Sequence, residues 1–166
     1  MKLTSKDANK LLKQLEEEIN SIETNEKNSS TFVAATVENK EDVRPEYNFK
    51  ETQNKHNELK NKVIKLKHEI NTFNINTVVP EFNMTIDEML VYIPQLSLNK
   101  LKLARMKDKP KFVRLSNNRT NIIDYQYINY DLAEVNDEYK AVESELNRAQ
   151  IALDKVNITA TFDVEL

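Results

Sequence analysis

Two stretches of the chain place apolar residues at alternating steps of three and four. The first runs Phe49, Thr52, His56, Leu59, Val63, Leu66, Ile70, Phe73, and the second Leu132, Val135, Tyr139, Val142, Leu146, Ala149, Leu153, Val156. Such spacing turns one narrow stripe of a long helix toward a partner helix and leaves the charged residues between the stripes in water. It predicts one helix over about 48–73 and another over about 131–156. A third stripe, Ala8, Leu12, Leu15, Ile19 and Ile22, predicts a helix that starts at Thr4 or Ser5 and ends near Glu23. Asp7 then sits close to the positive end of that helix's dipole.

A different pattern follows Thr85. Thr85, Ile86, Asp87 and Glu88 form a capping box, in which the threonine oxygen and the glutamate each satisfy a backbone N–H that has no partner in the first turn. The helix it opens extends to about Lys107. Its apolar residues, Met89, Leu90, Val91, Tyr92, Ile93, Leu96, Leu98, Leu101, Leu103 and Met106, wrap around more than one face. That breadth predicts the most buried helix of the chain. Pro94 removes a hydrogen bond at a cost of about 3 kcal/mol, which predicts a kink or a division there.

Between the helices the period shortens to two. Thr31 to Val37 is β-branched and apolar, and Val43 to Tyr47 reads as a short irregular return, with Pro45 restricting any second strand to an edge. Phe112 to Leu115 and Ile122 to Ile128 read as a β-hairpin, with Tyr125 and Tyr127 alternating along its second strand. Asp131, with Glu134 three residues later, caps the last helix, and the closing ITATFDVEL alternates like a strand. The predicted fold is mainly α: a coiled-coil-like bundle of about four helices in long antiparallel hairpins, with one or two small β-hairpins. The first, second and last helices are expected to surround the third. Residues 1–166 read as a single elongated domain, with β elements near 31–47, 112–128 and 158–166.

Composition changes this picture in one respect. The chain has no glycine, so every left-handed backbone position must be filled by another residue, and asparagine tolerates that region best. Asn25, Asn28, Asn39, Asn74, Asn76, Asn117 and Asn118 sit at the expected breaks. Hydrophobic residues make up 39% and charged residues 31%, a polar balance for a compact monomer, and exposed seams then favour a second subunit. A formal net charge of −3 supplies no global attraction to nucleic acid or to an acidic membrane. With no cysteine, disulfide frameworks, thiol chemistry and cysteine-based zinc sites are excluded. No apolar run approaches the roughly 20 residues of a spanning helix. Met1 to Asp7 lead straight into an amphipathic helix instead of a basic region and an apolar core, so the expected location is cytoplasmic.

Several local strings carry a family resemblance: LLKQLEEEI in the first helix, EIN-x-x-N-x-x-T from Glu69 to Thr77, and Met84-Thr85 before the third helix. To these are added Ile123 to Asp131 leading into DLAE, and Asn157 to Leu166 ending in Glu-Leu. In these features the chain resembles the septicolysin-like family of small uncharacterised bacterial proteins. The resemblance implies a long helical hairpin with small β elements and self-association, and no established reaction, cofactor or substrate. The family label suggests pore formation, for which this chain has no secretion signal, spanning helices or obvious barrel strands. Ile93-Pro94-Gln95 and the absence of loop glycines depart from the family pattern.

Candidate chemistry is sparse. His56 lies on a helix seam, but no second histidine or carboxylate falls at the four-residue spacing that puts two ligands on one face, and His68 is off the stripe. Glu134 and Asp137 supply one half of a paired acidic magnesium motif; Glu16, Glu17 and Glu18 do not supply the other. No catalytic residue, metal ligand, cofactor or phosphate-cradling loop is expected. The strongest candidate is a basic cluster, Lys100, Lys102, Arg105, Lys107, Lys109, Lys111, Arg114 and Arg119, followed by Tyr125 and Tyr127. Cations beside aromatic rings are what phosphate contact and base stacking require. The plainer alternative is a solvated helix end paired with acids on neighbouring helices. The sequence thus favours a non-enzymatic, self-associating structural or interaction protein, a homo-oligomer without membrane attachment, held by Leu59, Val63, Leu66, Ile70, Val135, Val142, Leu146, Leu153 and Val156. A nucleic-acid-associated protein acting through 100–119 is the alternative.

Overall fold

The computed structural model describes residues 1–115 and 123–166. Five helices and six short strands follow one another as β1 (Lys2–Thr4), α1 (Ser5–Ser29), α2 (Lys40–Val43), α3 (Phe49–Asn76), β2 (Val78–Val79), β3 (Met84–Thr85), α4 (Ile86–Lys107), β4 (Phe112–Leu115), β5 (Asp124–Tyr127), α5 (Leu132–Thr159) and β6 (Thr161–Asp163). The fold is mainly α with small antiparallel β pairs. Where the sequence reads as one domain, the chain divides into two compact units: Met1–Asn76 with Val156–Leu166, and Thr77–Lys155.

The first unit is an antiparallel helical hairpin of α1 and α3. Ion pairs and hydrogen bonds fix its direction: Glu16 to Lys67 at 2.8 Å, Glu23 to His56 at 3.2 Å, and the Gln53 amide donating to Glu26 at 3.0 Å. Between the helices, Ala8, Leu15, Leu66, Ile70 and the strand-end Val164 form a buried cluster. Leu3, Leu11, Leu12, Leu59, Val63 and Phe162 pack around it. Thr4 caps α1 by accepting the Asp7 N–H at 3.1 Å. β1 and β6 pair antiparallel in the register Leu3 to Phe162, and the Phe162 ring stacks on Phe73 with centroids 4.5 Å apart.

Two expectations fail in this unit. Helix α1 continues past Glu23 to Ser29, because Glu26 in its last turns accepts from the Tyr47 hydroxyl at 2.5 Å as well as from Gln53. The strand expected at 31–37 does not form. Val33 and Val37 stand in solvent, the return segment supplies no ladder, and Asn39 instead caps the single turn α2.

In the second unit α4 and α5 run antiparallel. Tyr92 donates to Glu145 at 2.5 Å, Lys100 pairs with Glu143 at 2.7 Å, and the Tyr130 hydroxyl donates to the Met106 carbonyl at 2.8 Å. Leu103, Val135 and Val142 are buried between the helices, with Leu96, Met106, Tyr130 and Tyr139 packed around them. β2 and β3 form a small antiparallel pair before α4, and Asn83 in their connection takes the left-handed conformation with φ 51°. Asn83 is thus the positive-φ residue among those described. Of the expected breaks, Asn25, Asn28, Asn74 and Asn76 lie inside helices, and Asn117 and Asn118 fall outside the described residues.

Helix α4 differs most from expectation. It opens on the capping box, with the Glu88 N–H donating to Thr85 at 3.2 Å and the Thr85 N–H to Glu88 at 2.7 Å. It then runs unbroken through Pro94 to Lys107. The proline and the preceding-turn Leu90 both face solvent, where water can satisfy the carbonyl that the ring deprives of a donor. Nor is α4 the most buried helix: only Ile86, Met89 and Leu103 are buried, against six residues of α5. Each unit is built on one antiparallel helix pair, α1 with α3 in the first and α4 with α5 in the second.

Candidate functional site

The nine predicted seam residues all turn away from solvent. Leu66, Ile70, Val135, Val142, Leu146 and Leu153 are buried, and Leu59, Val63 and Val156 are half-buried.

The basic segment does not act as one patch, because helix geometry divides it. Lys100 and Lys107 lie on the side of α4 that meets α5. The Lys107 ammonium stands 4.5 Å from the centre of the Tyr139 ring, and Lys100 stands 5.7 Å from the same ring while pairing with Glu143. Donation to Glu143 raises the Lys100 pKa, and the same hydrogen bond holds the Glu143 carboxyl below its ordinary range. These two cations are already engaged within the unit. Lys102 and Arg105 project from the opposite side and are exposed, as are Lys109 and Lys111 beyond the helix end. None of these four, nor Arg114, forms an ion pair with a described residue. Arg119 lies outside the described residues.

Arg114 belongs to the β4–β5 hairpin. Its register pairs Phe112 with Tyr127 and Arg114 with Tyr125. Since side chains alternate across a strand, these four share one face. On that face Phe112 lies 6.0 Å from Tyr125 and 6.1 Å from Tyr127, and the two tyrosines are 6.3 Å apart. All three rings are exposed. The hairpin thus displays an aromatic platform with one arginine on it. A shallow depression of about 430 Å³ at its base is lined by Lys109, Val113, Gln126 and Tyr130 among others.

The remaining sequence candidates stay apart. His56 pairs with Glu23, His68 is exposed, and Glu16 and Glu17 are taken by Lys67 and Lys13. Among the described residues no group of three or more histidines and acids is placed to hold a metal ion. No described helix is long and apolar enough to cross a membrane.

Sequence reasoning missed the outer face of α4. Leu90, Val91, Pro94, Leu98 and Leu101 are all exposed. At 3.6 residues per turn they fall within about 100° of arc. The signal was present: a proline in mid-helix and charges at Asp87 and Arg105 on the same arc mark a solvent side.

The class defined by these observations is a mainly helical protein of two helix pairs with small β-hairpins. No protein-family model matches the chain. No curated protein matches it either. Among solved structures it is similar to the crystal structure of a functionally unknown conserved protein from Corynebacterium diphtheriae. The TM-score is 0.64 and the identity 14%, over 98% of this chain and 100% of that one, a likeness of fold alone.

Proposed function

We propose that this chain is a non-enzymatic, cytoplasmic interaction protein that assembles copies of itself. The observation that carries the reading is the outer face of α4, a continuous apolar surface on a regular helix whose other side is already packed. Contiguous apolar surface on a soluble protein marks a place where another molecule sits. The resemblance to the septicolysin-like family, with the self-association it implies, agrees with this reading. The test is light scattering after size-exclusion chromatography across a range of protein concentrations. A mass rising with concentration is expected for the wild type and a smaller rise for Leu98→Asp; a constant monomer mass overturns the reading.

A second reading is favoured by the β4–β5 hairpin. Exposed rings of Phe112, Tyr125 and Tyr127 beside Arg114 suit the stacking of unpaired bases with one phosphate contact. The affinity for a single-stranded oligonucleotide, read by fluorescence anisotropy, should then fall about two- to threefold between about 50 and 200 mM salt, as one phosphate contact requires. It should also fall on Arg114→Glu; binding indifferent to both removes this reading.

A further inference from the structure

The outer face of α4 carries opposite charges at its two ends. Leu90, Val91, Leu98 and Leu101 are 50%, 62%, 60% and 48% exposed, and Pro94 lies among them. Asp87 precedes this apolar stretch and Arg105 follows it. The two are eighteen residues apart, which is five turns, so they lie on one line along the helix about 27 Å from each other. Neither forms an ion pair with a described residue, and both are exposed. Glu88 adds negative charge at the first end and Lys102 adds positive charge at the second.

We infer that the occupant of this face is the same face of a second copy, laid antiparallel about a two-fold axis at the level of position 96. The inference rests on the self-assembly reading above and gives it a geometry. In this register, position i faces 192 minus i. Val91 meets Leu101 of the second copy, Pro94 meets Leu98, and Asp87 meets Arg105, each contact made twice by symmetry. Apolar residues therefore meet apolar residues at positions 91, 94, 98 and 101, Leu90 lies against the aliphatic stem of Lys102, and opposite charges meet at both ends. The parallel arrangement sets Asp87 against Asp87 and Arg105 against Arg105. Like charges disfavour it, so the charge order selects direction as well as partner. Asp108, one turn past Arg105, ends the helix and has Met84 opposite it in this register, so it opposes no acid.

Five apolar side chains over about three turns make a small contact, of the class below about 1,200 Å² that dissociates readily. Self-association therefore belongs at high protein concentration. The antiparallel register makes a demand that other arrangements do not. Asp87→Lys alone places lysine against arginine at both ends, and Arg105→Glu alone places glutamate against aspartate. In a mixture, lysine at 87 of one chain faces glutamate at 105 of the other, and the native Arg105 faces the native Asp87.

Sedimentation equilibrium tests this at about 10 to 500 µM protein, with circular dichroism to verify that the exposed substitutions leave the helices intact. Each variant alone should dissociate at least about tenfold more readily than wild type. The equimolar mixture should regain wild-type association as a heterodimer. If wild type associates but neither reversal weakens it, or the mixture recovers nothing, the α4 pairing is overturned while assembly through another surface stands. If wild type is monomeric throughout, the assembly reading itself falls and the pairing falls with it.

Discussion

The two units use their apolar residues differently. In the α1–α3 hairpin the stripes are narrow and satisfy each other: Ala8, Leu15, Leu66 and Ile70 close one cluster, with half-buried neighbours from both helices around it. The exposed large apolar residues of α3, Phe49, Ile64 and Ile75, are separated by several turns and form no surface. In the α4–α5 unit, Leu103, Val135 and Val142 close a comparable cluster, yet α4 retains a second apolar face and the β4–β5 hairpin exposes three rings. Single exposed apolar residues are ordinary, whereas contiguous ones are not. The α1–α3 hairpin buries its apolar stripes against each other, whereas the second unit leaves adjacent apolar side chains in solvent.

The sharpest way to break this contrast is to delete the same side chain from each unit. Leu66 is fully buried, and Leu66→Ala should cost about 2–5 kcal/mol in urea denaturation, from lost transfer energy and the cavity left behind. Leu98→Ala, on the outer face of α4, should change the stability of dilute protein by no more than about 0.5 kcal/mol while weakening association. Equal losses from the two substitutions would show that α4's outer face is covered within the monomer, and the distinction between the units would collapse.

What could be read from sequence follows the same division. The seven-residue repeats on α3 and α5 announced themselves because a narrow stripe has one meaning: it faces a partner. The capping box at Thr85 and Glu88 was equally plain, since it depends only on residues three apart. Helix α4 was misread for a physical reason. A broad apolar surface is compatible with complete burial or with one packed face and one waiting face, and periodicity alone does not separate them. Thr31 to Val37 has strand-like residues but no paired neighbour, and a strand is a property of two segments. The basic segment divided because spacing along a helix determines which cations meet α5, and the position of Tyr139 on that other helix was invisible from 100–119 alone.

Helix caps extend the comparison at a smaller scale. Thr85 accepts from the Glu88 N–H, and Glu88 reciprocates to the Thr85 N–H at 2.7 Å. Thr4 accepts from the Asp7 N–H at 3.1 Å, and its hydroxyl donates to the Asp7 carboxylate as that of Thr85 does to Glu88, but the Thr4 backbone N–H does not bond to Asp7. Two backbone donors depend on the first arrangement and one on the second. Thr85→Ala should therefore cost about 1–2 kcal/mol in thermal or chemical unfolding, Thr4→Ala nearer 0.5–1 kcal/mol, and serine at either position should restore most of the loss. The reverse order would mean that tertiary packing, and not the cap, holds the start of α4.

The smallest expected effect concerns the charges shared by α4 and α5. Glu143 is held below its ordinary carboxyl range by the hydrogen bond from Lys100, and Lys100 is raised by the same bond. A lowered acid contributes stability that is present above its unfolded value of 4.5 and is lost as pH falls through its folded value. A raised base contributes stability that is present below its unfolded value of 10.5 and is lost as pH rises through its folded value. The difference in melting temperature between wild type and Glu143→Gln should therefore be constant from about pH 5 to about pH 10 and shrink on both sides of that window. Both side chains reach solvent, so the difference should be slight and should shrink further in high salt. A difference that persisted undiminished at pH 2 would assign Glu143's contribution to packing against Tyr139 and remove its charge from the account of how α4 is held to α5.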